Sequence, residues 1–187
     1  MTTALRDEAL KLLDGRGAIL DAAREISAAM REAGVEGAIV GGVAVVLHGH
    51  VRTTVDVDVY SPEPAPKLVE LLESLGFALD RSRRQFTRGD LIVHIVRPEQ
   101  VGEPPRRFVT IDGVATVSLA DLIAMKLRSG LAKMTRAQDL ADVIGLIRKC
   151  GLKGDFARKL DAPLRPSFRE LVRAVASEDN GMEASIT

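Results

Sequence analysis

Length, composition and charge exclude several classes of protein. With 187 residues, 46% of them apolar, the chain is about the size of one domain or of one domain with an appended part. The 26 basic and 26 acidic residues give a net charge of zero, which argues against a protein that coats nucleic acids or membranes through bulk charge. Five Phe, one Tyr and no Trp leave few aromatic rings on which the bases of single-stranded nucleic acid could stack.

The cysteine content and the hydropathy pattern favour a protein of the cytoplasm. Cys150 has no second cysteine for an internal disulfide, and residues 1–14 are charged and lack the uninterrupted apolar stretch of a secretory signal. No segment approaches the roughly 20 apolar residues of a membrane-spanning helix. We therefore expect a cytoplasmic protein without a membrane partner.

A helix, a strand, a glycine turn and a second helix are predicted first along the chain. Apolar residues at steps of three and four describe one helix face over residues 18–33. Residues 37–40 predict a short buried strand, Gly41 and Gly42 a tight turn, and residues 43–48 the first turns of another helix. This segment is therefore predicted to be a strand, glycine turn and helix unit.

Strict alternation predicts the next strand. In residues 55–60 the valines occupy one side while Asp56 and Asp58 occupy the other, and Pro62 ends the pattern. A helix and two hairpins are predicted to follow, at residues 67–75, 85–96 and 108–117 respectively.

The last third of the chain is predicted to be helical. Helices are expected to about residue 129, then at 135–149, 156–160 and 168–176. A soft boundary near Val117 gives an α/β core with an N-terminal helix over residues 1–117 and a helical part packed on it over residues 118–176. Residues 177–187 have little to bury and are expected to be disordered.

Asp56 and Asp58 are the first candidates for chemistry. Side chains at i and i+2 of a strand project from the same face, so the two carboxylates lie close enough to share divalent cations. Their repulsion is costly unless a cation such as Mg²⁺, which prefers oxygen ligands, relieves it. An isolated Asp-x-Asp also arises by chance on an alternating surface strand, so this alternative stays open.

The Gly41-Gly42 pair is a candidate phosphate site. It follows a buried strand and opens a helix, which places exposed backbone N–H groups and the positive end of a helix dipole where phosphate could dock. A glycine pair can also be only a turn. A strand after Arg52, Thr53 and Thr54 would bring the Asp pair back alongside the glycines.

Taken together, these residues resemble those of a known family. The pattern is similar to the nucleotidyltransferase-like family of the DNA polymerase beta superfamily, in particular to small bacterial members related to abortive-infection nucleotidyltransferase toxins. The anchors are Gly41-Gly42-Val43-Ala44, His48-Gly49, Arg52, Thr54 and Asp56-Val57-Asp58.

The resemblance extends to the later helices and covers roughly residues 35–146. Those relatives carry a Lys followed by an Arg-x-Lys-Asp element. Here Lys126 and Arg136-Ala137-Gln138-Asp139 take these places, with Gln138 where the second Lys would be.

The resemblance implies both a fold and an activity. The fold would be α+β, a nucleotidyltransferase-like mixed β-sheet flanked by helices and followed by a C-terminal helical part. The activity would be transfer of a nucleoside monophosphate from a nucleoside triphosphate to a hydroxyl of RNA, protein or a small molecule. The implied site has Asp56 and Asp58 as ligands of two Mg²⁺ (or Mn²⁺) ions, Gly41 and Gly42 on the triphosphate, and Arg52 and Lys126 on phosphate.

One position departs from the family pattern. Active members usually bring a third carboxylate from a neighbouring strand, and the corresponding residues 91–96 have His94 as their only central polar side chain. His94 is therefore either a catalytic residue of a modified site or a core-edge histidine satisfied by a polar neighbour. The alternative function is a catalytically degenerate protein that binds nucleotide or a partner, or a toxin–antitoxin component.

Structural alternatives also exist for the later motif. Lys126 lies among apolar helix residues and could extend its ammonium group to the surface. Arg136 and Asp139 are one helical turn apart, so an i, i+3 ion pair explains them without chemistry.

Overall fold

The computed structural model describes residues 17–62 and 65–184, and their side chains except at position 65 and from position 179 onward. The chain divides into two compact units between Ser118 and Leu119. Every strand of the described residues lies before this division, and only helices are found in the described part after it. None of the helices within these ranges has the length and apolar character to cross a membrane.

A seven-stranded mixed sheet organises the unit before the division. The described helices of this unit are α1 (Ala18–Glu32), α2 (Gly41–Leu47), α3 (Ala65–Ser74) and α4 (Pro98–Val101). The strands are β1 (Ala38–Val40), β2 (Asp56–Tyr60), β3 (Ala78–Asp80), β4 (Gln85–Arg88), β5 (Leu91–Val96), β6 (Phe108–Ile111) and β7 (Val114–Val117). Their order is β3-β4-β5-β2-β1-β7-β6, with β2–β5 and β1–β7 parallel and the other neighbours antiparallel.

A large hydrophobic cluster of this unit packs against one face of the sheet. Ile26 of α1 and Leu72 of α3 are fully buried in the same cluster as Val57 of β2. Burial of such aliphatic side chains is the main stabilising contribution in a chain with few aromatic residues. Because successive strand side chains point to opposite faces, Asp56 and Asp58 project from the face away from this cluster.

Both hairpins predicted from the sequence are confirmed. Strands β4 and β5 are joined at Gly89, and β6 and β7 at Asp112-Gly113. Asp112 has φ 49° and Gly113 has φ 80°, the two positive angles that a tight Asp-Gly turn between twisted strands requires. The Asp-Gly pair therefore fixes the position of this turn.

Several local features differ from the prediction, among them the following three. Helix α2 begins at Gly41 itself, and no separate turn precedes it at Gly41-Gly42. The chain changes direction at Gly41, whose φ is 64°. Strand β2 begins at Asp56, one residue later than predicted. Strand β3 was not predicted, because three residues at the edge of a sheet are too few to show an alternating pattern.

The unit after the division consists of helices in its described part. They are α5 (Leu119–Ala132), a 3₁₀ turn (Met134–Arg136), α6 (Ala137–Cys150), two further 3₁₀ segments (Gly154–Lys159 and Ala162–Leu164) and α7 (Arg165–Ala184). Helix α6 ends at Gly151, whose φ of 59° lies in the left-handed region that favours glycine.

The last helix is longer than predicted. The sequence places it at residues 168–176 and expects disorder from position 177, whereas α7 begins at Arg165 and continues to Ala184. In the helical turn that follows residue 176, Glu178 of α7 forms an ion pair with Arg148 of α6. Such a tertiary pair is invisible in local composition, and residues 185–187 lie outside the described part of the chain.

Candidate metal site

Two carboxylates and one imidazole meet on the sheet face opposite the hydrophobic cluster that contains Val57. The parallel register of β2 and β5 places His94 directly beside Asp58. Nδ1 of His94 lies 3.2 Å from Oδ2 of Asp56 and 3.6 Å from Oδ1 of Asp58. One potential ligand atom from each of the three residues lies within 4.8 Å of the other two. We call these three residues the Asp–Asp–His cluster.

The electrostatics of this cluster favour a cation. A hydrogen bond to Asp58 raises the pKa of the His94 imidazole, burial opposes this, and the charges of Asp56 and Asp58 raise the pKa further. A raised pKa means that the folded protein stabilises the protonated ring beside the two carboxylates. Positive charge between the carboxylates is therefore favourable, whether a proton on His94 or a metal ion supplies it.

Gly41 allows the start of α2 to lie against this cluster. A Cβ atom built on Gly41 would be 1.9 Å from Oδ2 of Asp58, and the φ of Gly41 is +64°, where other residues are strained. Only glycine therefore permits both this backbone conformation and this close approach of Asp58. The structure brings this predicted phosphate-binding residue next to a predicted metal ligand.

Gly42 has a similar role toward the loop that precedes β2. A Cβ atom at Gly42 would be 2.4 Å from Oγ1 of Thr54 and 2.7 Å from Nη2 of Arg52. The hydroxyl of Thr54, a buried residue, donates a hydrogen bond to Oδ1 of Asp56 over 3.2 Å. Arg52 donates to the carbonyl of Thr53 over 2.7 Å.

Thr54 is an anchor of the family resemblance, but sequence analysis assigned it no role in the site. Its signal is weak, because a threonine two residues before an aspartate is common in turns. In the structure its hydroxyl bonds the Asp56 carboxylate and so restricts the side-chain rotation of that residue.

Comparison with known proteins supports the fold. No family model and no curated protein matches the chain. Among solved structures, JHP933 from Helicobacter pylori is 15% identical with a TM-score of 0.56, over 100% of this chain and 97% of that chain. A candidate nucleotidyltransferase from H. pylori is 15% identical with a TM-score of 0.55, over 97% and 99% of the two chains. An antigenic nucleotidyltransferase-like protein from Paracoccidioides brasiliensis is 14% identical with a TM-score of 0.50, over 88% and 89%.

The fold is nucleotidyltransferase-like. The α+β, nucleotidyltransferase-like fold expected from the sequence is thereby confirmed. At identities this low the likeness concerns the fold alone, so the chemistry of this nucleotidyltransferase-like protein must be argued from its own residues.

The Asp–Asp–His cluster fits a divalent metal ion in spacing and in chemistry. Neighbouring ligand atoms around a six-coordinate ion with bonds of about 2.1 Å are about 3.0 Å apart. The distances of 3.2 Å and 3.6 Å from His94 to the two carboxylates are close to this value. Asp56 and Asp58 would supply oxygen ligands and His94 a nitrogen ligand.

Lys126 occupies a different setting in the helical unit. The residue is 8% exposed, and its Nζ lies 2.6 Å from Oδ1 of Asp139 and 2.8 Å from Oδ2 of Asp142. The alternative that its ammonium group extends to the surface is therefore wrong. The phosphate contact of Lys126 stays a prediction, and it would require an ammonium group that two carboxylates already neutralise.

Asp139 joins this buried group to α6. Burial opposes its ionisation, but hydrogen bonds from Lys126 and Ser129 hold its pKa below the usual value. Arg136 approaches it at 3.8 Å, the i, i+3 pair that the structural alternative predicted. Asp142 was missed from the sequence, because its only signal is a position three residues after Asp139.

Proposed function

We propose that this protein is a metal-dependent nucleotidyltransferase that moves a nucleoside monophosphate from a nucleoside triphosphate to a hydroxyl acceptor. The observation that carries the proposal is the convergence of Asp56, Asp58 and His94 beside Gly41 on one sheet face. The nucleotidyltransferase-like fold supports it. The acceptor class remains RNA, protein or a small molecule.

The two aspartates and the residues around them have defined tasks in this proposal. Asp56 and Asp58 would hold the divalent ion, and the hydroxyl of Thr54 orients the carboxylate of Asp56. Gly41 and Gly42 would contact the triphosphate through their backbone at the start of α2, and Arg52, whose Nη2 lies near Gly42, would be a further phosphate contact. A bound divalent ion would neutralise the charge that develops on the phosphoryl oxygens.

The reaction forms one bond and breaks another at the α-phosphorus. The acceptor hydroxyl releases its proton to the surrounding water and its oxygen bonds to this phosphorus, while the bond from the phosphorus to the bridging oxygen of the β-phosphate breaks and pyrophosphate leaves. The side chains of the site would position these groups and stabilise charge, which is the main contribution of a protein to phosphoryl transfer.

Labelled nucleotides test this proposal. The protein would be incubated with each of the four α-labelled triphosphates, Mg²⁺ or Mn²⁺, and a cell extract, alongside the Asp56→Asn variant. Loss of even an outer-shell partner of a metal costs about 10- to 100-fold, so we expect Asp56→Asn to lose at least about 100-fold in labelling.

A matched control is available in the same sheet. Asp112→Asn makes the same chemical change in the β6–β7 turn, at a φ of 49° that Asn also tolerates. This variant should label like the unmodified protein. Undiminished labelling by Asp56→Asn would contradict the proposal.

His94 favours a second candidate function. It stands beside Asp58 where active relatives are expected to carry an acid, so the protein could bind nucleotide or a partner without catalysis. Calorimetry would then show metal-dependent binding of a triphosphate, while no nucleotide and no metal yields labelled product. Labelled product from the unmodified protein, absent in Asp56→Asn, would exclude this second function.

A further inference from the structure

The third ligand atom of the cluster is a nitrogen, and this bears on which metal the site accepts. We propose that the Asp–Asp–His cluster binds one first-row transition-metal ion through Nδ1 of His94, in preference to Mg²⁺. This inference rests on the metal role given to the cluster in the proposed function, and it names the class and the number of ions at that site.

The orientation of His94 supports the nitrogen ligand. Nδ1 is the ring atom that faces both carboxylates, at 3.2 Å from Asp56 and 3.6 Å from Asp58. The ladder between β2 and β5 pairs His94 with Asp58, so the backbone register holds the ring on this side of the sheet. An ion that contacts both carboxylates therefore lies within reach of Nδ1.

The chemistry of the ligands then selects the ion. Imidazole suits zinc, copper, iron and nickel, whereas Mg²⁺ favours six oxygen ligands at 2.0–2.1 Å and gives up its waters reluctantly. Replacing an oxygen ligand by a nitrogen ligand raises the affinity of a site for these transition-metal ions relative to its affinity for Mg²⁺. A site with a third carboxylate would lack this preference.

Charge and neighbouring residues limit the number of ions to one. The two carboxylates carry two negative charges, which balance one divalent cation and leave a second one uncompensated by the cluster. On the same face of β5, the side chains two positions from His94 are those of Ile92 and Val96, which have no oxygen ligand. Within the described residues, this cluster is the one group of three such side chains close enough to hold an ion.

Pulsed electron paramagnetic resonance of bound Mn²⁺ tests the inference directly. Full-length protein would be loaded with substoichiometric Mn²⁺ in the absence of nucleotide. We expect one Mn²⁺ per chain, with the modulation of a directly bonded nitrogen in its spectrum. This readout needs no variant, so it stays decisive even if a substitution at His94 impairs folding.

Variants and competition sharpen the test. His94→Asp should still bind Mn²⁺, but its spectrum should lack the nitrogen modulation. His50→Asp, the same change in a histidine outside the cluster, should bind Mn²⁺ and show the nitrogen modulation. In the unmodified protein, half displacement of Mn²⁺ should need at least about 100-fold more Mg²⁺, and His94→Asp should reduce this ratio at least about tenfold.

The outcomes separate this inference from the proposed function. Bound Mn²⁺ without nitrogen modulation, two equivalent ions per chain, or equal affinity for Mg²⁺ would each overturn the inference. Mg²⁺-supported nucleotide transfer in that case would leave the proposed function standing. Failure of the full-length protein to bind any of these ions would overturn the metal role in both.

Discussion

Gly41→Ala is the substitution that the structure constrains most tightly. The new Cβ would lie 1.9 Å from Oδ2 of Asp58, where real Cβ contacts essentially never fall below 3.0 Å. The carboxylate must therefore move by more than about 1.1 Å, while ligand distances in a metal site tolerate only about 0.2 Å. We expect the metal affinity to fall at least tenfold, which is about 1.4 kcal/mol.

A second glycine separates the contact from backbone strain. Gly34 has φ +63°, almost the same as the +64° of Gly41, but a Cβ there meets no atom within 4 Å. Gly34→Ala should therefore lose only the cost of a left-handed alanine, about 1–2 kcal/mol of unfolding free energy. Its metal affinity should be unchanged.

Chemical denaturation and metal titration of the two variants provide the assay. Gly41→Ala should lose at least as much unfolding free energy as Gly34→Ala, and only Gly41→Ala should lose metal affinity. If Gly41→Ala binds metal as tightly as Gly34→Ala does, Asp58 is not a ligand in the position described.

Three further predictions concern the buried ion pairs of the helical unit and the hydroxyl beside Asp56. Lys126→Met leaves two carboxylates buried without their cation and should cost about 3–5 kcal/mol of unfolding free energy. The control Lys133→Met, at an exposed position, should change the unfolding free energy by less than about 0.5 kcal/mol. Similar losses in both variants would refute the buried pairing. Because the pKa of Asp139 is lowered on folding, its contribution to stability is present above the unfolded value near 4 and is lost as the pH falls through the folded value. Stability measured against pH should therefore decline in acid more steeply for the unmodified protein than for Asp139→Asn, and parallel curves would contradict the shift. Thr54→Val keeps the shape of the side chain but removes the hydroxyl bonded to Asp56. Metal affinity should therefore fall about tenfold, and the unfolding free energy by about 1 kcal/mol. An unchanged metal titration would show that the hydroxyl does not orient Asp56.

Local patterns in the sequence predicted much of the sheet. The alternation of Val and Asp before Pro62 predicted β2 and placed Asp56 and Asp58 on one face, as observed. The Asp112-Gly113 pair predicted a tight hairpin, because few other pairs adopt two consecutive positive φ angles. These features depend on neighbouring residues, so one sequence is enough to find them.

Other features depend on residues that are distant along the chain. The placement of His94 beside Asp58 requires the parallel register of β2 and β5, which no local pattern encodes and which was anticipated only through the family resemblance. The pairing of Lys126 with Asp142 requires the contact of α5 with α6. The continuation of α7 past residue 176 coincides with a tertiary ion pair to Arg148.

The most direct test of the account is a crystal structure of the protein with Mn²⁺ and a non-hydrolysable nucleoside triphosphate, measured for the anomalous signal of manganese. The account predicts a peak about 2.0–2.4 Å from carboxylate oxygens of Asp56 and Asp58 and from Nδ1 of His94, with the triphosphate reaching Gly41. A manganese peak elsewhere, or a triphosphate bound with no metal at the two aspartates, would contradict it.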